Sequence, residues 1–201
     1  MNYLSIFLVS FTIAFSGALV PGPILAAVIY RSTRNGFKSG PLIILGHALI
    51  ELALVVLLIV NVTAFIRDPM VFSIIRIIGG LILAVSGVKL VFSRIELPGS
   101  GGVDKHKLPD VFLGIILSVA NPYWLMWWLT IGLGLVLSAN KAGLTAVLAF
   151  FTGHIFADFI WYAFVSFSVS RGKKFITPNI YRLLIYICGL TLVGFGIYFV
   201  V

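Results

Sequence analysis

The sequence predicts an all-α integral membrane protein, six transmembrane helices arranged as two three-helix repeats of opposite orientation, on three observations. Of its 201 residues 61% are hydrophobic and only 10% charged, a balance that cannot clothe a water-soluble domain of this size in polar surface. The apolar stretches reach or exceed the roughly 20 residues a helix needs to cross the hydrocarbon of a bilayer, and the ten-residue alternation of a membrane β-barrel is missing. The two halves of the chain also match one another at an offset of about 100 to 109 residues.

Apolar periodicity places span 1 at about 3–29, span 2 at 40–66, span 3 at 71–92, span 4 at 110–138, span 5 at 142–169 and span 6 at 180–201. The apolar N-terminus has neither the charged start nor the short core of a signal peptide and reads as a retained span. Arg31 to Lys38 join spans 1 and 2, and Arg67-Asp68-Pro69 marks a tight turn between spans 2 and 3. The connection 93–109 is predicted as a cytoplasmic linker. Its Pro98-Gly99-Ser100-Gly101-Gly102 run follows no strand and precedes no Gly-Lys-Ser/Thr, so it reads as a tether rather than a phosphate loop. Residues 1–201 then form one transmembrane domain, with 3–92 as the first repeat and 110–201 as the second.

The net charge of +8 does not signal nucleic acid, because the basic residues sit in short connections. Eleven (Arg31, Arg34, Lys38, Lys89, Arg94, Lys105, Lys107, Arg171, Lys173, Lys174, Arg182) flank the odd-numbered connections, and three (Arg67, Arg76, Lys141) flank the even ones. The positive-inside bias puts the odd connections in the cytoplasm and both termini outside. Cys188 is the only cysteine, which excludes an intramolecular disulfide and reads as helix packing. Asn61-Val62-Thr63 has the form of a glycosylation site and carries little weight.

Three matched motifs carry the repeat. Span 2 has Gly46-His47-Ala48-Leu49-Ile50-Glu51 and span 5 has Gly153-His154-Ile155-Phe156-Ala157-Asp158, both Gly-His-x-x-x-acid. Gly80-Leu81-x-Leu83 with Gly87 in span 3 answers Gly189-Leu190-x-Leu192 with Gly196 in span 6, a close-packing pattern. Pro21-Gly22-Pro23 interrupts span 1 and Asn121-Pro122 interrupts span 4. Because each unit has an odd number of helices, the second copy enters the membrane from the other side, as in secondary transporters with a site at the repeat interface.

A carboxylate at mid-bilayer costs several kcal/mol unless it meets a partner or a wet cavity, so Glu51 and Asp158 are the first candidate site residues. His47 and His154 lie four residues before them on the same helix faces and can share protons with them; a purely structural pair is the alternative. Pro21, Gly22, Pro23 and Pro122 free backbone carbonyls that only a cavity tolerates, and Asn121 can bond one of these or a substrate. Trp124, Trp127 and Trp128, beside Tyr123, sit too deep for an interfacial belt; they pack, or hold an ammonium through their rings.

Pro21-Gly22-Pro23, Gly46-His47 and Asn121-Pro122, in a chain of this length, resemble the lysine exporter and homoserine/threonine exporter (LysE/RhtB) family over the whole chain. The resemblance implies a secondary transporter of the cytoplasmic membrane that exports amino acids or related small metabolites on an ion gradient. It departs at Tyr123-Trp124, where many members carry Lys and Phe, which makes these two candidate substrate contacts. The alternative within the same superfamily is a divalent metal exporter using His47, His154, Glu51 and Asp158, although His-rich loops are missing. No cofactor is expected, and a homo-oligomer is compatible with such a chain. An enzyme is disfavoured because the sequence has neither an intramembrane protease aspartate pair nor His-Glu-x-x-His.

Overall fold

The computed structural model describes residues 2–60, 69–92, 108–172 and 177–201. The Arg67-Asp68 turn, the Asn61 sequence, most of the 93–109 linker and the Lys173-Lys174 pair lie outside them. The described residues form helices α1 (Tyr3–Ala18), α2 (Pro23–Asn35), α3 (Ser39–Ile59), α4 (Pro69–Val91), α5 (Asp110–Val119), α6 (Pro122–Trp127), a π segment (Trp128–Gly132), α7 (Leu133–Asn140), α8 (Leu144–Arg171) and α9 (Pro178–Val200), and no strand among them.

Two predicted spans are not single helices. Span 1 divides into α1 and α2, bent by 77° across residues 19–22, and α2 runs on to Asn35 rather than stopping near 29. The bend follows from Pro23 at the first position of α2 and Pro21 just before it, since neither offers an N–H to continue the α1 ladder. The helical extension takes in Arg31-Ser32-Thr33-Arg34, whose polar side chains suggested a loop. Arg31 Nε instead pairs with Asp110 at 3.5 Å and Ser32 Oγ hydrogen-bonds Ser166 Oγ at 2.7 Å, so neither is left unsatisfied by burial. Span 4 divides at Asn121, whose side chain caps α6 by accepting from Tyr123 N–H at 3.2 Å. It then passes through the π segment, a local insertion that re-aims the side chains beyond it. Span 5 becomes α8, shifted two residues late, because Gly143 (φ +92°) starts it in a conformation other residues rarely adopt.

Among the described residues four helical stretches are long and apolar enough to cross a membrane (Ser39–Ile59, Tyr123–Asn140, Leu144–Arg171 and Arg182–Val200), and the bent α1–α2 pair makes a fifth. Their outer faces carry exposed Leu42, Leu45, Leu49, Leu52 and Val56 on α3 and Phe156, Ile160, Phe164 and Phe167 on α8. Contiguous apolar surface on this scale is stable only against lipid. The chain is a multi-pass helical membrane protein.

Packing pairs α1 with α8, α3 with α5, and α4 with α9, while α3 also lies against α8. Small residues set the distances. A side chain at Gly46 would overlap the Val111 carbonyl on α5, and one at Gly153 would reach the Phe7 carbonyl on α1 at 2.5 Å. Two apolar cores result. One gathers Ile24, Val28, Ile43, Ile44, Tyr162, Val169 and Cys188; the other gathers Val55, Leu58, Trp128, Val136, Val147 and Phe150. Along α3 the first core ends at Ile44 and the second begins at Val55, and along α8 the order reverses, Phe150 then Tyr162. The interval between them on both helices holds the polar residues.

Candidate functional site

That interval is filled by His47, Glu51, His154 and Asp158, with relative exposures of 6%, 1%, 5% and 5%. Helical spacing puts each histidine one turn from its own acid, and the side-by-side packing of α3 and α8 brings the two pairs together. His47 Nε2 lies 3.1 Å from Glu51 Oε1 and 3.8 Å from Asp158 Oδ2; His154 Nε2 lies 3.2 Å from Glu51 Oε2 and 3.6 Å from Asp158 Oδ2. Two bare carboxylates this close in an apolar interior would repel strongly, and the imidazoles between them offset that charge.

Hydrogen-bond accounting distinguishes the members. Ser118 Oγ on α5 donates to the Gly114 carbonyl at 2.6 Å, so its contact with His47 Nδ1 at 2.7 Å is one in which the imidazole donates. His47 therefore has a proton on Nδ1 and faces the acids with Nε2. His154 Nδ1 has no hydrogen-bond partner among the described residues. Glu51 Oε1 accepts from both Trp124 Nε1–H and Trp128 Nε1–H at 2.8 Å. Glu51 Oε2 and Asp158 Oδ2, both buried, accept no hydrogen bond among the described residues; His154 stands near each at ion-pair distance without hydrogen-bond geometry.

One cavity of about 70 Å³ adjoins the cluster. By the roughly 10–15 Å³ that a water requires, it has room for several waters, and the acids border that wet space rather than lipid. Its wall includes Pro21, Gly22, Asn121, Tyr123, Trp124, Trp127 and all four members of the cluster. Of the predicted site residues, Glu51, Asp158, His47, His154, Asn121, Pro21, Gly22, Tyr123 and Trp124 thus meet around one cavity. Pro23 and Pro122 start the helices beside it as the first residues of α2 and α6.

Four side chains take roles that the sequence had not assigned. Trp124 and Trp128 are hydrogen-bond donors to Glu51 through their indole N–H groups; the sequence indicated ring packing or cation–π contact for both and, by the family resemblance, a candidate substrate contact for Trp124. Their spacing of four was the available signal. Ser118, the partner of His47, carried no sequence signal beyond being a hydroxyl in an apolar span. Trp127 borders the cavity and its ring centre lies 4.9 Å from that of His154.

The family model of the LysE type translocators matches residues 15–201, which takes in every residue of the cavity wall except Ala14. The chain belongs to the LysE type translocator family. Members of that family are membrane transporters and not enzymes. Among its relatives, this translocator is 24% identical over 200 residues to a putative amino acid efflux protein, YcgF, of Bacillus subtilis (strain 168), covering 98% of this chain and 95% of the relative. It is 27% identical over 189 residues to a leucine efflux protein of Enterobacter sp. (strain 638), covering 91% and 89%. A leucine efflux protein of Salmonella typhimurium (strain LT2) is 25% identical over 166 residues, covering 81% and 76%. No solved structure matches the translocator.

Proposed function

We propose that this translocator is a secondary active exporter of amino acids across the cytoplasmic membrane, working by alternating access, with Glu51, Asp158, His47 and His154 as its proton and substrate site. The observation that carries this reading is the convergence of the duplicated His-acid pairs and both interrupted spans on one hydratable cavity. Buried ionisable groups inside a membrane protein are expensive and mark transport pathways, and helix breaks are tolerated where they line a cavity. The names of the relatives, amino acid efflux and leucine efflux, favour amino acids as the cargo.

Alternating access needs two halves that rock about a common site, and the proposed arrangement is six spans as two inverted repeats, 3–92 and 110–201, joined by 93–109. Reciprocal packing supports it. Gly80 faces Gly196 and Gly87 faces Gly189, so each glycine meets the sequence counterpart of the other, the signature of a two-fold axis passing through the pair. The site follows the same rule: His47 meets the counterpart of Glu51, and His154 meets the counterpart of Asp158. The basic residues favour odd connections in the cytoplasm and both termini outside.

The test is gradient-driven amino acid export from proteoliposomes by Glu51→Gln and Asp158→Asn. Both remove a buried charge and keep the shape, so the expected outcome is folded protein whose export falls by about tenfold or more, equivalent to roughly 1.4 kcal/mol or more of lost interaction. Unchanged gradient-driven flux in both variants refutes the site assignment. A second reading, export of a divalent cation, is favoured by one observation: ligand atoms of His47, Glu51 and Asp158 all lie within 4.8 Å of one another. Cation-dependent stabilisation of the purified protein, abolished by His47→Ala, would establish it in place of the first.

A further inference from the structure

We infer that the cavity is a two-pole site for a zwitterion, taking the carboxylate of an α-amino acid at the N-terminus of α2 and its ammonium at Asp158, with an apolar side chain against the apolar part of the wall. This rests on the amino acid reading above and assigns the parts of the substrate.

The positive pole is the start of α2. Pro23 has no N–H, so the first donors of this thirteen-residue helix lie at Gly22 and Ile24, and both residues border the cavity. No side chain caps them: the N-cap is Gly22 and makes no side-chain hydrogen bond. A helix start uncapped by its own chain presents N–H groups and the positive end of its dipole, which suits a carboxylate. Gly22 is not glycine for its backbone, since φ −156° and ψ −171° are open to any residue. Neither is it glycine for packing. A Cβ there would meet only the Val20 carbonyl, at 4.0 Å, whereas most helix-packing glycines of this chain would drive a Cβ into a neighbour. What a side chain at Gly22 would obstruct is the approach to those donors from the cavity.

The negative pole is Asp158 rather than Glu51. Both acids line the cavity, yet Glu51 Oε1 is already engaged by two indoles and by His47. Asp158 is 5% exposed, its Oδ2 accepts no hydrogen bond, and its two histidine neighbours stand off at 3.6 and 3.8 Å. Glu51 Oε2 is likewise without a hydrogen bond among the described residues, but Asp158 is the less engaged and the more exposed of the two acids, and an ammonium supplies its missing donors. Ala14, Ala18, Leu192 and Phe195 give the wall an apolar part, which suits an apolar substituent.

The experiment is counterflow in proteoliposomes with the twenty common amino acids as probes. For the amino acid best transported, competition by its amide and by the acid lacking the amine is then measured. The expected result is a preference for an apolar amino acid over lysine and glutamate, with each analogue competing about tenfold or more weakly, because each leaves one buried pole unpaired. Gly22→Val is expected to remain folded and to lose competition by the amino acid, while Gly194→Ala, whose Cβ also meets open space but outside the cavity wall, behaves as the parent. Transport of an amino acid with equal competition by its amide or its amine-free acid, or with lysine or glutamate preferred, overturns the two-pole site and leaves the exporter reading standing. Unaltered transport by Gly22→Val also overturns it; should that variant not fold, the analogue comparison alone decides. If no amino acid moves, both the exporter reading and the two-pole site fall.

Discussion

Trp128→Phe tests whether the indoles hold Glu51 or merely fill space. Trp128 is fully buried, and its Nε1–H donates to Glu51 Oε1 at 2.8 Å. A hydrogen bond to a charged acceptor contributes about 1.5–3 kcal/mol. The phenyl ring also leaves part of the indole's space empty, adding about 1 kcal/mol. The substitution should therefore destabilise by about 2.5–4 kcal/mol. In a Glu51→Gln background the bond is neutral, worth about 0.5–1.5 kcal/mol, while the void is the same, so the cost falls to about 1.5–2.5 kcal/mol. The difference, a coupling of about 1–1.5 kcal/mol, exceeds the roughly 0.3–0.5 kcal/mol expected of independent sites. The assay is reversible detergent-induced unfolding of the parent, both single variants and the double variant. Additivity within about 0.5 kcal/mol would refute the hydrogen-bond role and return Trp128 to plain packing.

Gly87→Leu should loosen the α4–α9 seam, because even its Cβ would reach the Gly189 carbonyl at 2.5 Å. A loss of about 1–3 kcal/mol or more is expected, read as faster thermal inactivation, and an unshifted melting curve would contradict the packing. For topology, a cysteine at Ser100 in a Cys188→Ala background should resist an impermeant thiol reagent in intact cells and react after lysis. Rapid labelling of intact cells would reverse the proposed orientation.

The recurring Gly-His-x-x-x-acid motif was legible because both its parts, a small residue for close approach and ionisable groups one turn apart, obey local helical spacing. The breaks at Pro21-Gly22-Pro23 and Asn121-Pro122 were legible because proline chemistry is local too. The 77° between α1 and α2 was not, since it depends on what α2 packs against once the ladder is broken. The length of α2 was misjudged for a related reason: Arg31 and Ser32 look like loop residues until Asp110 and Ser166, more than 75 residues away, are seen to satisfy them. The indole donors and Ser118 belong to the same class, partners chosen by tertiary packing between α3 and span 4. Sequence spacing fixes which side chains share a face; it does not fix what the face meets.

The bend in the first span also has a mechanical side. Arg31 lies eight residues beyond the start of α2, a lever of about 12 Å at the rise of an α-helix. Turning α2 about the break by about 15° swings Arg31 through about 3 Å, roughly the width of one water. That stroke is comparable with the 3.5 Å separating Arg31 Nε from Asp110, and the same arginine reaches the Leu108 carbonyl at 3.1 Å through Nη2. A tilt of that size in the direction that draws Arg31 away from α5 would stretch this clasp by about as much as it now spans unless the arginine side chain follows, so the far end of α2 is tied to the start of α5 while the cavity lies beside its hinge.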